Sequence, residues 1–152
     1  MFGKALGNGH AITAVIGRRE VMEAAQTSFI SSTFWTERIG PTSARKTLEV
    51  MSNCQSWDLI TTTVLKITKR QKDMAAIYGL AITTADLPSQ TNFTITSAND
   101  LADRTLTTQE MLSNGFLASN SVYVCREHTP EIGDEYFANL DLVFQTLRVC
   151  ED

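Results

Sequence analysis

The chain has 152 residues, 43% hydrophobic and 20% charged, with a formal net charge of -4 and a pI near 5.2. That composition suits a globular protein with a core of ordinary size, and its slight acidity argues against nucleic acid or an anionic membrane as partner. No apolar run approaches the ~20 residues of a membrane-spanning helix.

Taken from the N-terminus, Gly3-Lys4-Ala5-Leu6-Gly7-Asn8-Gly9 sets a lysine ahead of a glycine-rich turn. Polar residues and glycines interrupt this stretch too often for a signal peptide. Residues 11 to 17, AITAVIG, are a short apolar run that predicts a buried strand. Residues 18 to 26 carry helix formers with Val21, Met22 and Ala25 on one face, and 27 to 38 read as a loop. Pro41 suits the first turn of a helix that continues through Ala44, Leu48 and Met51. Ser56 stands where it could cap the next helix, with Ile60, Val64, Ile67 and Met74 inward and Gly79 as its stop.

The pattern then turns extended. After a Leu87-Pro88 turn, residues 91 to 96 alternate, with Phe93 and Ile95 on one face of a strand. A helix is expected over about 99 to 114, with Leu101, Thr105, Thr108 and Leu112 as its stripe and Gly115 as its end. Residues 121 to 125 read as a strand. Thr129-Pro130 opens a last helix with Ile132, Tyr136, Leu140, Val143 and Leu147 in register. Gly133 inside it costs about 1 kcal/mol relative to Ala.

Residues 55 to 152 thus make a small α+β unit, whereas 1 to 54 offer one strand without a neighbouring run to pair with. A buried strand needs a sheet to enter, so the N-terminal third reads as the end of a larger domain.

The candidates for chemistry are few. Cys54, Cys125 and Cys150 are far apart and lack a C-x-x-C pair, and only His10 and His128 could join them. A metal site or disulfide framework is therefore not expected, and a reducing cytoplasm fits best. Asn92-Phe93-Thr94 matches a glycosylation pattern but falls in the expected strand. The Gly7-x-Gly9 pair is neither a dinucleotide fingerprint nor a phosphate loop, and by spacing alone Lys4 is an ordinary solvated lysine. Thr33, likewise, is an ordinary loop threonine.

Resemblance gives them more. GKALGNGHAITAVIGRREVMEAA resembles the stretch that follows the cofactor lysine in class III (fold-type I) pyridoxal-phosphate aminotransferases, and SSTFWTERIGPTSARKTLEVM resembles the loop and helix after it. LPSQTNFTI, TTQEMLSNGFLASNSVYVC and EHTPEIGDEYFANLDLVF are similar to the C-terminal domain of the same enzymes, in the branch of glutamate-1-semialdehyde aminomutase. The motifs run in order over nearly the whole chain.

The resemblance implies an α/β fold: the end of the large cofactor domain over residues 1 to 54, then a small α+β C-terminal domain with a short antiparallel sheet over 55 to 152. It implies pyridoxal 5'-phosphate as cofactor, Lys4 as the lysine that forms its internal aldimine, and Thr33, with Ser32 as a weaker candidate, at the phosphate of a partner subunit in a homodimer. Lysine suits the first role because a neutral amine attacks the aldehyde. An amino-group donor and a keto or aldehyde acceptor are the implied small-molecule partners. An aminomutase, or a non-catalytic remnant that only folds or associates, stands as the alternative. His10 occupies a position often held by Tyr and Ala11 one usually held by Pro, and His128 is expected to order the turn before the last helix. Trp35 and Trp57 are expected in packing, and Glu37 and Arg38 as a surface ion pair. In the family the acid for the pyridine nitrogen, the aromatic on the ring and the phosphate-binding helix N-terminus lie before the lysine. Only three residues precede Lys4 here, so the chain alone is not expected to build a whole site.

Overall fold

The computed structural model describes residues 1–30, 33–85 and 87–151. They divide into two compact units, Met1–Gln55 and Ser56–Asp152.

In the first unit the buried strand expected over 11 to 17 is absent. This segment pairs through one antiparallel bridge, Ala14 with Phe2, and Val15 and Ile16 are 56% and 69% exposed. The apolar run has no sheet to enter among the described residues, so beyond that bridge its backbone groups are left to other partners or to water. A short helix α1 (Arg19–Met22) runs into a 3-10 turn, Glu23–Thr27. Met22 and Ala25 are half-buried while Val21 is exposed. Helix α2 (Ile39–Cys54) begins with Pro41 in its first turn and stops at Gln55, which is left-handed (φ 45°). Of the expected stripe only Ala44 is buried, together with the small residue Gly40, while Leu48 and Met51 are exposed. Glu37 does not form the expected ion pair with Arg38; its carboxylate accepts the Ile39 N–H at 2.7 Å and so satisfies an orphan donor at the start of α2.

The second unit has a full core. Helix α3 (Ser56–Ile77) turns Val64, Ile67, Met74 and Ala75 inward. Ser56 is its first helical residue rather than its cap, and its buried hydroxyl has no partner among the described residues. Gly79 (φ 68°) closes the helix, with the Leu80 N–H reaching back to the Ala75 carbonyl at 2.9 Å. The chain then enters β1 (Ile82–Thr84), a strand the sequence pattern did not announce, and β2 (Gln90–Ile95). Helix α4 (Asp100–Ser113) and strand β3 (Ser121–Tyr123) follow, and α5 (Pro130–Glu151) ends the fold.

The sheet is antiparallel in the order β1-β2-β3, with Ile82 opposite Ile95 and Thr91 opposite Val122. Alternation along β2 buries Thr91, Phe93 and Ile95, and Phe93 meets Phe144 of α5 edge to face with ring centroids 5.5 Å apart. Helix α5 packs Tyr136, Phe137, Leu140, Val143, Phe144 and Leu147 inward, while Ile132 remains 43% exposed. In α4 the inward face is Thr107 and Met111; the expected stripe residues Leu101 and Leu112 face out. A buried polar chain joins α3 to β2: the Thr91 hydroxyl donates to Gln71 Oε1 at 3.2 Å, so the proton shared with Thr68, 2.8 Å away, comes from Thr68.

Candidate functional site

Lys4 sits in a closed loop of the first unit. Phe2 and Ala14 exchange two backbone hydrogen bonds of 2.7 and 2.8 Å and so tie the loop's ends. Inside it, Lys4–Leu6 form a 3-10 turn, and the Lys4 carbonyl accepts both the Gly7 and Asn8 N–H groups at 3.2 Å. Lys4 itself is left-handed, with φ 48°, and Asn8 has φ 44°. A side chain with a Cβ pays roughly 1–2 kcal/mol for that conformation, and residues held in it cluster where geometry serves a function. The Lys4 side chain is exposed, and among the described residues its ammonium has no ion-pair partner.

Helix α2 holds this loop in place. The Ser43 hydroxyl lies 2.6 Å from the Gly7 carbonyl and 3.1 Å from His10 Nδ1. A hydroxyl has one proton and a carbonyl can only accept, so Ser43 donates to Gly7 and His10 donates from Nδ1 to Ser43. His10 thus braces the turn. Two close approaches complete the contact: a Cβ on Gly7 would stand 2.0 Å from the His10 carbonyl oxygen, and one on Gly40 would stand 2.7 Å from that of Ala11. Sequence reasoning missed Ser43 and Gly40. Their signal was the run of small residues, Gly40, Ser43 and Ala44, at three- and four-residue spacing on one edge of the helix.

Thr33 lies exposed in the turn before α2, and no hydrogen bond joins it to Lys4 among the described residues. Ser32 falls outside the described residues. Trp35 is left-handed (φ 38°) and 76% exposed, and Trp57 is 49% exposed, so neither is the packing residue expected. In the same stretch of sequence as Trp35, Phe29, Ile30 and Phe34 are also exposed, at 94%, 75% and 54%.

The second unit carries a cavity of about 540 Å³ among α3, the segment 116–123 and the start of α5. Ile67, Phe116, Val122 and Phe137 make its apolar wall, with Lys66, Arg70 and His128 at polar positions. Arg70 is already engaged: it pairs with Asp134 and lies over the Phe137 ring, 4.4 Å from its centre. His128 Nδ1 accepts the Cys125 N–H at 2.9 Å and orders the turn before α5, as expected. At that helix start the Thr129 hydroxyl and the helix's own N–H hold the Glu131 carboxyl below its ordinary value. No helix among the described residues is long and apolar enough to cross a membrane.

No protein-family model matches the chain. Over 60 residues, 39% of its length, it is 40% identical to a 3-aminobutyryl-CoA aminotransferase of Cloacimonas acidaminovorans (strain Evry), and that match covers 14% of the relative. In fold it is similar over 95% of its length, with a TM-score of 0.85 and 17% identity, to the PLP internal aldimine form of the FumI protein of Sphingopyxis sp. MTA144. The chain covers 36% of that structure, so it spans well under two thirds of either protein. The α/β fold expected from the resemblance is the one found: the chain has the architecture of part of a fold-type I PLP-dependent enzyme. An aminotransferase in sequence and a PLP-dependent protein in fold agree with the resemblance drawn from the motifs.

Proposed function

We propose that this chain is the lysine-bearing part of a class III pyridoxal-phosphate aminotransferase, with Lys4 as the residue joined to the cofactor. The observation that carries the reading is the left-handed Lys4 in a pinned loop, exposed and without an ion-pair partner among the described residues, inside a chain whose sequence match is an aminotransferase. In this reading residues 1–54 end the large cofactor domain and residues 55–152 form the small C-terminal domain.

The residues present fit the reactive end of the cofactor. Lys4 supplies a primary amine with open space before it, and Thr33 supplies an exposed hydroxyl and a backbone N–H of the kind that bind phosphate. Ser32 is its weaker neighbour in the same role. When bound, the cofactor supplies an electron sink for a substrate carbanion. Lys4 Nζ is then the base that takes the proton from the substrate Cα, and the protein's task is to hold that amine in line. The substrates are an amino-group donor and a keto or aldehyde acceptor, and the working assembly is a homodimer in which Thr33 serves the partner's cofactor. In this reading the isolated chain, which spans 36% of the fold relative and matches 14% of the sequence relative, retains the cofactor weakly and is inactive alone.

The C-terminal motifs from Leu87 onward favour a second reading, an aminomutase that moves the amino group within one molecule. Isotopic labelling separates the two: an aminomutase keeps the amino nitrogen in the same carbon skeleton, and an aminotransferase passes it to a second one. Thr33→Ala, in a dimer that retains cofactor, is expected to weaken cofactor affinity about ten- to a hundredfold, the effect of losing a hydrogen bond to a charged group. Equilibrium dialysis measures this, and unchanged affinity removes Thr33 from the site.

A further inference from the structure

We propose that Ser43 is a positioning residue: its hydroxyl, held between the Gly7 carbonyl and His10 Nδ1, bolts the turn that carries Lys4 to helix α2 and keeps Lys4 left-handed. The proposal rests on the reading of Lys4 as the cofactor lysine, and its test is separable from that reading.

Three features of the first unit converge on it. The turn's inner backbone hydrogen bonds, from Leu6 to Gly3, from Gly7 and Asn8 to Lys4 and from His10 to Gly7, are all local and 3.1 to 3.2 Å long. Such a turn costs little to reopen. Lys4 in the left-handed region is disfavoured relative to an ordinary helical or extended lysine, so an outside contact has to hold it there. The Ser43 contact, 36 residues away in sequence and 2.6 Å long, is that outside contact. It grips Gly7, whose N–H donates to the Lys4 carbonyl, so displacement of Gly7 is felt directly at Lys4.

Helix α2 is built for the task. Gly40 lets the backbone of Ala11 approach to a distance that any Cβ would block, and that approach brings Ser43, one turn further on, over Gly7. His10 completes the arrangement. It donates from Nδ1 to the Ser43 oxygen, whose own proton goes to the Gly7 carbonyl. The consequence is geometric. Moving Lys4 from the left-handed to the right-handed region swings its Cα–Cβ bond to another side of the chain, and catalytic amines lose rate steeply when misdirected by about 1 Å.

The test compares the 152-residue chain with Ser43→Ala and Ser43→Thr by NMR. In the parent, Lys4 shows the strong intraresidue HN–Hα contact of a positive φ. In Ser43→Ala that signature collapses, and the Gly7, Asn8 and His10 amides exchange about five- to tenfold faster, the effect of one lost hydrogen bond. Ser43→Thr, which keeps the hydroxyl, retains both signals. The Phe93 and Leu140 amides serve as controls and stay unchanged in all three chains. The proposal is overturned if the parent lacks the positive-φ signature or if Ser43→Ala keeps it, whatever the exchange rates do. It is overturned equally if Ser43→Thr behaves like Ser43→Ala, because the effect is then packing and not the hydroxyl. Reductive trapping of pyridoxal phosphate reports on the cofactor role alone: no adduct at Lys4 in a chain whose NMR signals behave as expected removes that role and leaves the bolt.

Discussion

The two units of this chain divide burial and chemistry between them. In Ser56–Asp152, helices α3, α4 and α5 close over a three-stranded sheet and leave Phe93, Met111, Leu140, Phe144 and Leu147 with 2% exposure or less. In Met1–Gln55, the buried residues among those described are Gly7, Gly40 and Ala44, and large apolar side chains such as Val15, Ile16, Phe29, Ile30 and Ile39 face outward. The first unit nevertheless carries the strained lysine, the braced turn and Thr33. A site needs atoms held in place, and hydrogen bonds with close backbone approaches do this where apolar packing is thin. A core needs area removed from water, which the first unit does not provide by itself.

The largest test of that contrast removes the second unit's central ring. Phe144→Ala is expected to destabilise it by about 3–5 kcal/mol, because a fully buried aromatic leaves a cavity that packed helices fill poorly. Urea unfolding read by hydrogen exchange should show the loss in the amides of α3, β2 and α5. The amides of residues 11 to 17 other than Ala14, which pairs with Phe2, should exchange fast in both chains. Slow exchange there in a demonstrably monomeric sample breaks the contrast, since the first unit would then hold a core of its own.

Most of the second unit was legible because its periodicities are unbroken. The Val64-Ile67-Met74 stripe, the Phe93-Ile95 alternation and the Leu140-Val143-Leu147 register all reappear as buried faces. The inward face of helix α4 lies one residue away from the expected stripe because it includes Thr107. A threonine that satisfies its own hydroxyl, here on the Asp103 carbonyl at 2.8 Å, can be buried without cost, and hydrophobicity does not reveal it. Strand β1 was missed because Ile82-Thr83-Thr84 is too short to show a period. In the first unit Lys4 and Thr33 were reached through resemblance, not spacing. Ser43 and Gly40 left only a run of small residues as their signal, since their roles depend on a contact made across about thirty residues or more.

A smaller effect sharpens the account of the core. The Tyr136 phenol is buried and its hydroxyl has no hydrogen-bond partner among the described residues. Burial pushes its pKa from 10.0 up to about 12, with Gln71 close enough to offset part of the rise without reaching hydrogen-bond geometry. A raised folded-state value means that stability is complete below pH 10 and is lost as pH climbs towards 12, by on the order of 2–3 kcal/mol. Tyr136→Phe should abolish that alkaline slope and stay within about 1 kcal/mol of the parent at pH 7. An unchanged slope between pH 10 and 12 would show that another group governs it.

The smallest expected change is a gain. A Cβ on Gly133 in α5 meets nothing within 4 Å, so Gly133→Ala should stabilise the second unit by about 0.5–1 kcal/mol. Equilibrium unfolding measures it, and a loss would mean that something packs on this helix face in the working protein.

The account's central claim is that Lys4 is the cofactor lysine, and reductive trapping tests it most directly. The chain is mixed with pyridoxal phosphate below saturation and reduced with borohydride, and the adduct is mapped among its five lysines: Lys4, Lys46, Lys66, Lys69 and Lys72. The adduct is expected at Lys4, although unreduced cofactor washes away on gel filtration. Lys46 and Lys69 are already paired with Glu49 and Asp73. An adduct spread evenly over the five, or concentrated on any lysine but Lys4, would contradict the assignment.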